Sequence, residues 1–286
     1  MENLLEINGV CKNYPSFSLK NVSFSLPAGS IMGFIGENGA GKTTTIKLIL
    51  NEIRRDSGNI KIFGKDNIQD EVKIKEQIGV VFDESYFYGD LTAADIGKIL
   101  KKIFKTWDQP LYEKYQRDFE LPQNKKVKEY SKGMKMKLSI ASALAHHPRL
   151  LILDEATSGL DPVMRSDILD VFLDFIQDES RGVLFSSHIT SDLERIADYV
   201  TFIHKGQIVF SRSKDELIEG SGIVKCGASQ FAGLDKSGFL RWRKGESECE
   251  ALVADKTEAR RRYPNLVVDN ASIDEIMLLY VKGEKA

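Results

Sequence analysis

The sequence predicts an α/β fold organised around a phosphate-binding loop, and three observations carry that expectation. The apolar run Ile31-Met32-Gly33-Phe34-Ile35 leads directly into GENGAGKT, residues 36 to 43, a match to G-x-x-x-x-G-K-[ST] placed between a strand and a helix. Strand signals return at Leu150–Leu153, Gly182–Phe185 and Tyr199–His204, so the sheet resumes late in the chain. Between about Tyr88 and Ala145 the apolar spacing becomes helical.

Taken in order, Leu4 to about Ile62 alternates apolar runs with turn residues such as Gly29-Ser30 and Asp56-Ser57-Gly58-Asn59, which reads as strands around one phosphate-binding helix. The stretch from 88 to 145 reads as a helical insertion, with Ile96, Ile99, Leu100 and Ile103 on one helix face and Pro110 and Pro122 as punctuation. The sheet then resumes, and Tyr199–His204 turns at Lys205-Gly206 into Gln207–Phe210 as an antiparallel hairpin. Residues 1–212 are therefore expected to form one domain. Residues 213–286 are expected to form a small accessory α+β domain, ending in a helix near Ile273–Val281.

Composition narrows the function. With 42% hydrophobic residues in 286, the chain can build a core without staples. A formal charge of −2 supplies no global field for nucleic acid or an anionic membrane. Cys11, Cys226 and Cys249 are too few and too scattered to suggest a disulfide framework or a metal site, which fits a reducing compartment. MENLLEINGV lacks the pattern of a leader, and no run reaches the roughly 20 apolar residues that span a bilayer. A soluble, cytoplasmic protein is expected.

The chemistry begins at the loop. Backbone N–H groups of Gly36, Glu37, Asn38, Gly39, Ala40 and Gly41 can wrap phosphates, and the helix carrying Thr44 adds its partial positive end. Lys42 can reach the β- and γ-phosphates, and the Thr43 hydroxyl can ligate Mg²⁺. Leu150–Leu153 delivers Asp154 and Glu155 to the carboxyl end of a strand, where ligands bind in open α/β sheets. There Asp154 suits a magnesium-bound water, and Glu155 can orient or deprotonate the water attacking the γ-phosphate.

GENGAGKT, YSKGM at 130–134, LLILDE followed by SGLD, and His188 in SSHIT occur in the order and spacing of an ATP-binding cassette (ABC) ATPase. The chain resembles that family over about residues 3 to 212. The resemblance implies a P-loop NTPase (RecA-like) core with antiparallel β elements and a helical insertion, ATP and Mg²⁺ as ligands, and two ATPase subunits facing head to tail. It implies that Ser131 and Gly133 contact ATP held by the partner, that Asp161 lies at the interface near the opposite site, and that His188 contacts the γ-phosphate. Tyr14, or Phe17 in its place, corresponds to the aromatic residue that stacks on adenine.

This chain departs from the family pattern at two points. The signature, usually leucine-serine-glycine-glycine-glutamine, reads Tyr130-Ser131-Lys132-Gly133-Met134 here. Asp83 stands where the family has glutamine; its carboxylate can serve magnesium, but its shorter, charged side chain leaves direct metal contact open. The lysines at 125, 126, 128, 132, 135 and 137 read as a solvated face, or as a positive rim for ATP or an acidic loop. In DESYFYGDL, residues 83 to 91, the adjacent aromatics Tyr86, Phe87 and Tyr88 cannot all enter one core, so at least one is expected to be exposed.

The favoured reading is an energy-supplying ATPase subunit of a membrane transporter, resembling short bacterial exporter ATPases. It would sit at the cytoplasmic face of the membrane on a separate membrane-spanning permease, with a second copy or a paralogue as its ATPase partner. The competing reading, a soluble ABC ATPase acting on ribosomes or DNA, usually involves two cassettes or long coiled-coil insertions. Neither is visible in the sequence.

Overall fold

A computed structural model describes residues 2–84, 86–245 and 248–285. Ser85, inside DESYFYGDL, lies outside them. A six-stranded sheet forms the centre, in the order Gln207–Ser213, Tyr199–His204, Ser30–Ile35, Gly182–Ser187, Leu150–Asp154, Ile78–Val81. All pairs in it are parallel except the hairpin at one edge, where Gln207 faces His204. Every residue of Ser30–Ile35, Leu150–Asp154 and Gly182–Ser187 is buried, as uninterrupted apolar runs covered on both faces should be.

An antiparallel sheet joins Phe17–Pro27, Asn3–Tyr14, Ser57–Ile62 and Lys65–Asp66. The expected turn at 56–59 is instead largely the start of a strand. Gly58, with φ +84°, passes so close to Gly9 that a Cβ would lie 2.4 Å from its carbonyl oxygen; the small turn-type residues there serve a register shift between Asn8 and Cys11.

The helices Ala93–Ile103, Gln109–Asp118 and Lys132–Leu144 lie between the strands Ile78–Val81 and Leu150–Asp154. The expected apolar face of the first is only partly inside: Ile96 is buried, but Ile99 and Ile103 are 44% and 60% exposed. Gly97 admits the Tyr112 ring at close range, so the packed side is Ala93, Ile96 and Gly97.

After Ser213 a third sheet runs in the order Val267–Asn270, Gly222–Cys226, Cys249–Val253, Phe239–Lys244, Glu284–Lys285, with every pair antiparallel. Val224, Phe231, Phe239, Ala251 and Tyr263 form a core of their own on it. Ile223, Leu252, Ile273, Ile276 and Leu279 instead join the core that holds Leu193 and Ile196. The helix Ile273–Lys282 completes this contact: Tyr280 packs on Phe202 and Phe210, and the Ile273 N–H donates to Glu194 Oε1 at 3.1 Å. Cys226 and Cys249, far apart in sequence, are cross-strand partners, both buried and free.

Candidate nucleotide and hydrolytic site

The helix Lys42–Ile49 starts the site. Five other helices among the described residues have eight or more residues, and each has a side-chain acceptor at its N-terminus, from Thr92, Asp108, Ser131, Asp161 or Ser272. Lys42–Ile49 has none. Its N-cap is Gly41 at φ +118°, a backbone state that strains any side chain, and a Cβ there would lie 2.6 Å from Leu19. A helix start with no side-chain cap on its N–H groups and a positive dipole end is an anion site.

The cleft over it, about 630 Å³, is lined by the loop and by Phe17, Asp83, Glu155, Ser158 and His188. Lys42 is buried; its Nζ donates to the Gly36 carbonyl at 2.7 Å and lies 3.4 Å from Glu155 Oε1. Glu155 Oε2 is 2.5 Å from His188 Nδ1. Glu155 has φ +55°, a left-handed state for a non-glycine residue. Such states cost about 1–3 kcal/mol and cluster at active sites. That turn directs the carboxylate from its strand end to a point between a lysine and a histidine.

Asp154 is buried below it and accepts from the Ser186 hydroxyl at 2.9 Å. Burial pushes its carboxyl above the usual range; the Ser186 and Thr43 hydroxyls oppose this, while Glu155 and Asp83 push it further up. The crowding of Asp83, Asp154 and Glu155 beside Thr43 invites a cation. No group of three or more His, Cys, Asp or Glu side chains among the described residues forms a metal site by itself. Magnesium fits those facts, since it keeps waters and takes one or two protein oxygens together with substrate phosphates.

The remaining sequence-derived residues fall in two places. Tyr14 is 39% exposed and lines an adjoining groove with Ser16, Phe17 and Gly39, whereas Phe17 reaches both that groove and the phosphate cleft. Ser131, Gly133 and Asp161 lie outside this cleft's lining. Ser131 and Asp161 are exposed and cap their own helices; the Ser131 hydroxyl accepts from Met134 N–H and keeps its proton to donate. Gly133 is buried under Met164, whose sulfur would lie 2.1 Å from a Cβ. YSKGM and SGLD are thereby packed into one surface.

Sequence reasoning missed Ser158, which lines the cleft, and His204, whose Nδ1 is 3.2 Å from Glu37 Oε2. Ser158 had a signal in its place three residues after Glu155. His204 had none.

A strand, an uncapped helix start, a buried lysine and an acidic strand end define a P-loop nucleoside-triphosphate-binding protein. The ABC transporter family pattern matches residues 19–158. The chain is 35% identical to the bacitracin transport ATP-binding protein BcrA of Bacillus licheniformis, over 73% of this chain and 69% of that protein. It is 32% identical to the lantibiotic transport ATP-binding protein SrtF of Streptococcus pyogenes, over 74% and 92%. A solved ATP-binding subunit of an ABC transporter superposes with a TM-score of 0.69 at 27% identity, covering 76% of this chain and 92% of that one. A dimeric post-hydrolysis structure of the cassette MJ0796, at 19% identity and a TM-score of 0.66, shares the fold. The chain belongs to the ABC transporter family as an ATP-binding subunit, and its reaction is ATP hydrolysis coupled to transport. Among the described residues no helix is long and apolar enough to cross a membrane.

Proposed function

We propose that the chain drives a separate membrane-spanning permease in the export direction, from the cytoplasmic face, as one of two ATPase subunits paired head to tail. The observation that carries the hydrolytic part is Glu155 held between Lys42 and His188. The export direction is supported by relatives named for bacitracin and lantibiotic transport.

In this reading the open N–H groups at Gly41–Thr44 and the Lys42 ammonium hold the β- and γ-phosphates. The Thr43 hydroxyl and Asp154, through a water, hold Mg²⁺, with Asp83 at the same edge. Bound magnesium supplies charge neutralisation at the phosphates. Glu155 accepts a proton from, or orients, the attacking water, and His188 steadies the carboxylate and reaches the γ-phosphate. Tyr14 or Phe17 takes the adenine. Ser131 and Asp161 face the partner's nucleotide, and Gly133 sets the packing beneath them.

The permease is proposed to dock in an apolar groove of about 410 Å³ lined by Phe82, Tyr86, Phe87, Leu100 and Phe104. The exposed Ile99 and Ile103 lie on the same helix as Leu100. Asp83, adjacent to Phe82, lines the nucleotide cleft, so one short segment serves both places. The test is hydrolysis by Glu155→Gln: activity near the wild-type rate removes Glu155 from the mechanism.

A further inference from the structure

Behind the cleft lies a buried polar cluster that the mechanism above leaves unused. The helix Thr190–Ile196 begins two residues after His188, and its Asp192 is 3% exposed. Asp192 Oδ1 is 4.0 Å from Arg165 Nη1. The other terminal nitrogen of Arg165, Nη2, donates to the Leu160 carbonyl at 3.2 Å, inside the turn SGLD. Thr157, fully buried and two residues after Glu155, has its hydroxyl near the same carboxylate but outside hydrogen-bonding geometry.

This cluster is loosely made. Thr157 Oγ1, Arg165 Nε and Asp192 Oδ2 are buried without a hydrogen-bond partner in the structure. Burial pushes the Asp192 carboxyl above its usual range, against the pull of Thr157, Arg165 and Arg195. Buried polar atoms are nearly always paired, and a half-satisfied network is less stable than an apolar core. Stability alone gives no reason to keep a carboxylate here.

Its placement gives one. Glu155 and His188 join two segments at the front of the cleft. Asp192, Arg165 and Leu160 join the same two segments behind it. We propose that Asp192 is a positioning residue for ATP hydrolysis, acting through Arg165 and Thr157 to hold the stretch from Glu155 to Asp161 in register with His188. The proposal rests on the hydrolytic reading above. A reacting group displaced by about 1 Å can cost on the order of a hundredfold in rate, so a loss of this tie acts on turnover more than on nucleotide binding.

A built-in control exists. Arg195 also links the two helices, through Asp170 at 2.5 Å and Ser166 at 2.8 Å, but on the exposed side. The experiment measures Mg-ATP hydrolysis, binding of a fluorescent ATP analogue and melting temperature for wild type, Asp192→Asn, Arg165→Lys, their double variant and Asp170→Asn. Lysine keeps the charge but cannot bridge Leu160 and Asp192 as a guanidinium does.

The expected result is a kcat at least tenfold lower for Asp192→Asn and for Arg165→Lys, with KM and analogue affinity within about twofold. The double variant should be no worse than the lower single, and Asp170→Asn should stay within about twofold of wild type. Wild-type kcat in either buried variant overturns the proposal, as does a loss that only tracks the folded fraction, or additive losses in the double. If Asp192→Asn does not fold, Arg165→Lys decides alone. A wild-type chain without hydrolysis would remove the functional reading itself, whereas an active wild type with an equally active Asp192→Asn removes this inference only.

Discussion

Glu155 Oε2 lies 2.5 Å from His188 Nδ1, and this contact closes the ends of two neighbouring parallel strands, Leu150–Asp154 and Gly182–Ser187, whose last matched pair is Asp154 with Ser186. The sheet register fixes where both residues emerge. With Lys42 on the other carboxylate oxygen, the proposed base stands between the loop lysine and the histidine.

Replacing Glu155 with glutamine keeps size and hydrogen bonding but removes the proposed base. Hydrolysis should fall by roughly 10²–10⁴-fold while ATP binding persists, and size-exclusion chromatography with ATP and magnesium should show a stable dimer. A monomer under those conditions would contradict ATP-driven pairing.

Lys42→Ala should act earlier, at binding. The loop loses its charged donor to the phosphates, and Glu155 loses its neighbouring cation. Because charge-assisted hydrogen bonds contribute about 1.5–3 kcal/mol, ATP affinity should drop at least about tenfold by fluorescence titration. Unchanged affinity would count against the loop assignment.

Head-to-tail pairing is tested by mixing. Ser131→Arg places bulk and misdirected charge at the proposed opposing γ-phosphate, yet Ser131 is exposed and the chain should fold. A dimer of one Ser131→Arg chain and one Lys42→Ala chain concentrates both lesions in one composite site. Recovered activity supports pairing in trans; inactivity with mixed dimers shown to form opposes it.

The aromatic triplet separates into two kinds of residue. Tyr86 is 75% and Tyr88 71% exposed, while Phe87 is partly buried against the main core. Tyr86→Ala should leave ATPase activity and melting temperature nearly unchanged and weaken co-purification with the permease. Phe87→Ala should also lower the melting temperature. Full retention of permease binding by Tyr86→Ala would move the docking surface elsewhere.

His146 provides a pH test. It is 2% exposed and stacked on Phe104 with ring centroids 4.0 Å apart. Its Nε2 is 3.1 Å from the Ile78 carbonyl, and Nδ1 has no partner. Burial lowers its pKa from the ordinary 6.5. The unfolded chain therefore takes up a proton first, so the stability from neutral His146 is present above about pH 6.5 and is lost as pH falls toward the folded value. The melting temperature should decline over that window, and His146→Leu should flatten the decline although it lowers stability at pH 7.5. An unchanged slope would remove His146 as a cause.

The central sheet and the loop were legible because their signals are local: uninterrupted apolar runs at Ile31, Leu150 and Gly182, and a glycine-lysine pattern between a strand and a helix. The position of Asp154 and Glu155 at the end of a strand was legible for the same reason. Contacts set by three-dimensional packing were not. Periodicity placed Ile99 and Ile103 on one face with Ile96, but it cannot register that Gly97 draws Tyr112 close and leaves those two outside the packed side. Met164 over Gly133, and Arg165 reaching both Leu160 and Asp192, depend on how separate helices meet. No spacing in the chain announces Cys226 beside Cys249, since their pairing follows from strand order in the third sheet.

The helix Ile273–Lys282 belongs to the tail by sequence and to the nucleotide-binding half by packing. A chain cut after Ser213 would uncover Phe202 and Phe210 where Tyr280 packs on them, and would take Ile273, Ile276 and Leu279 from the core that holds Leu193 and Ile196. The core shared by Ile31, Leu193 and Phe202 is therefore completed by a helix that follows them in the chain. Calorimetry of the whole chain should show one cooperative transition, and a nascent ATPase half should need a chaperone's protection until the helix Ile273–Lys282 has arrived.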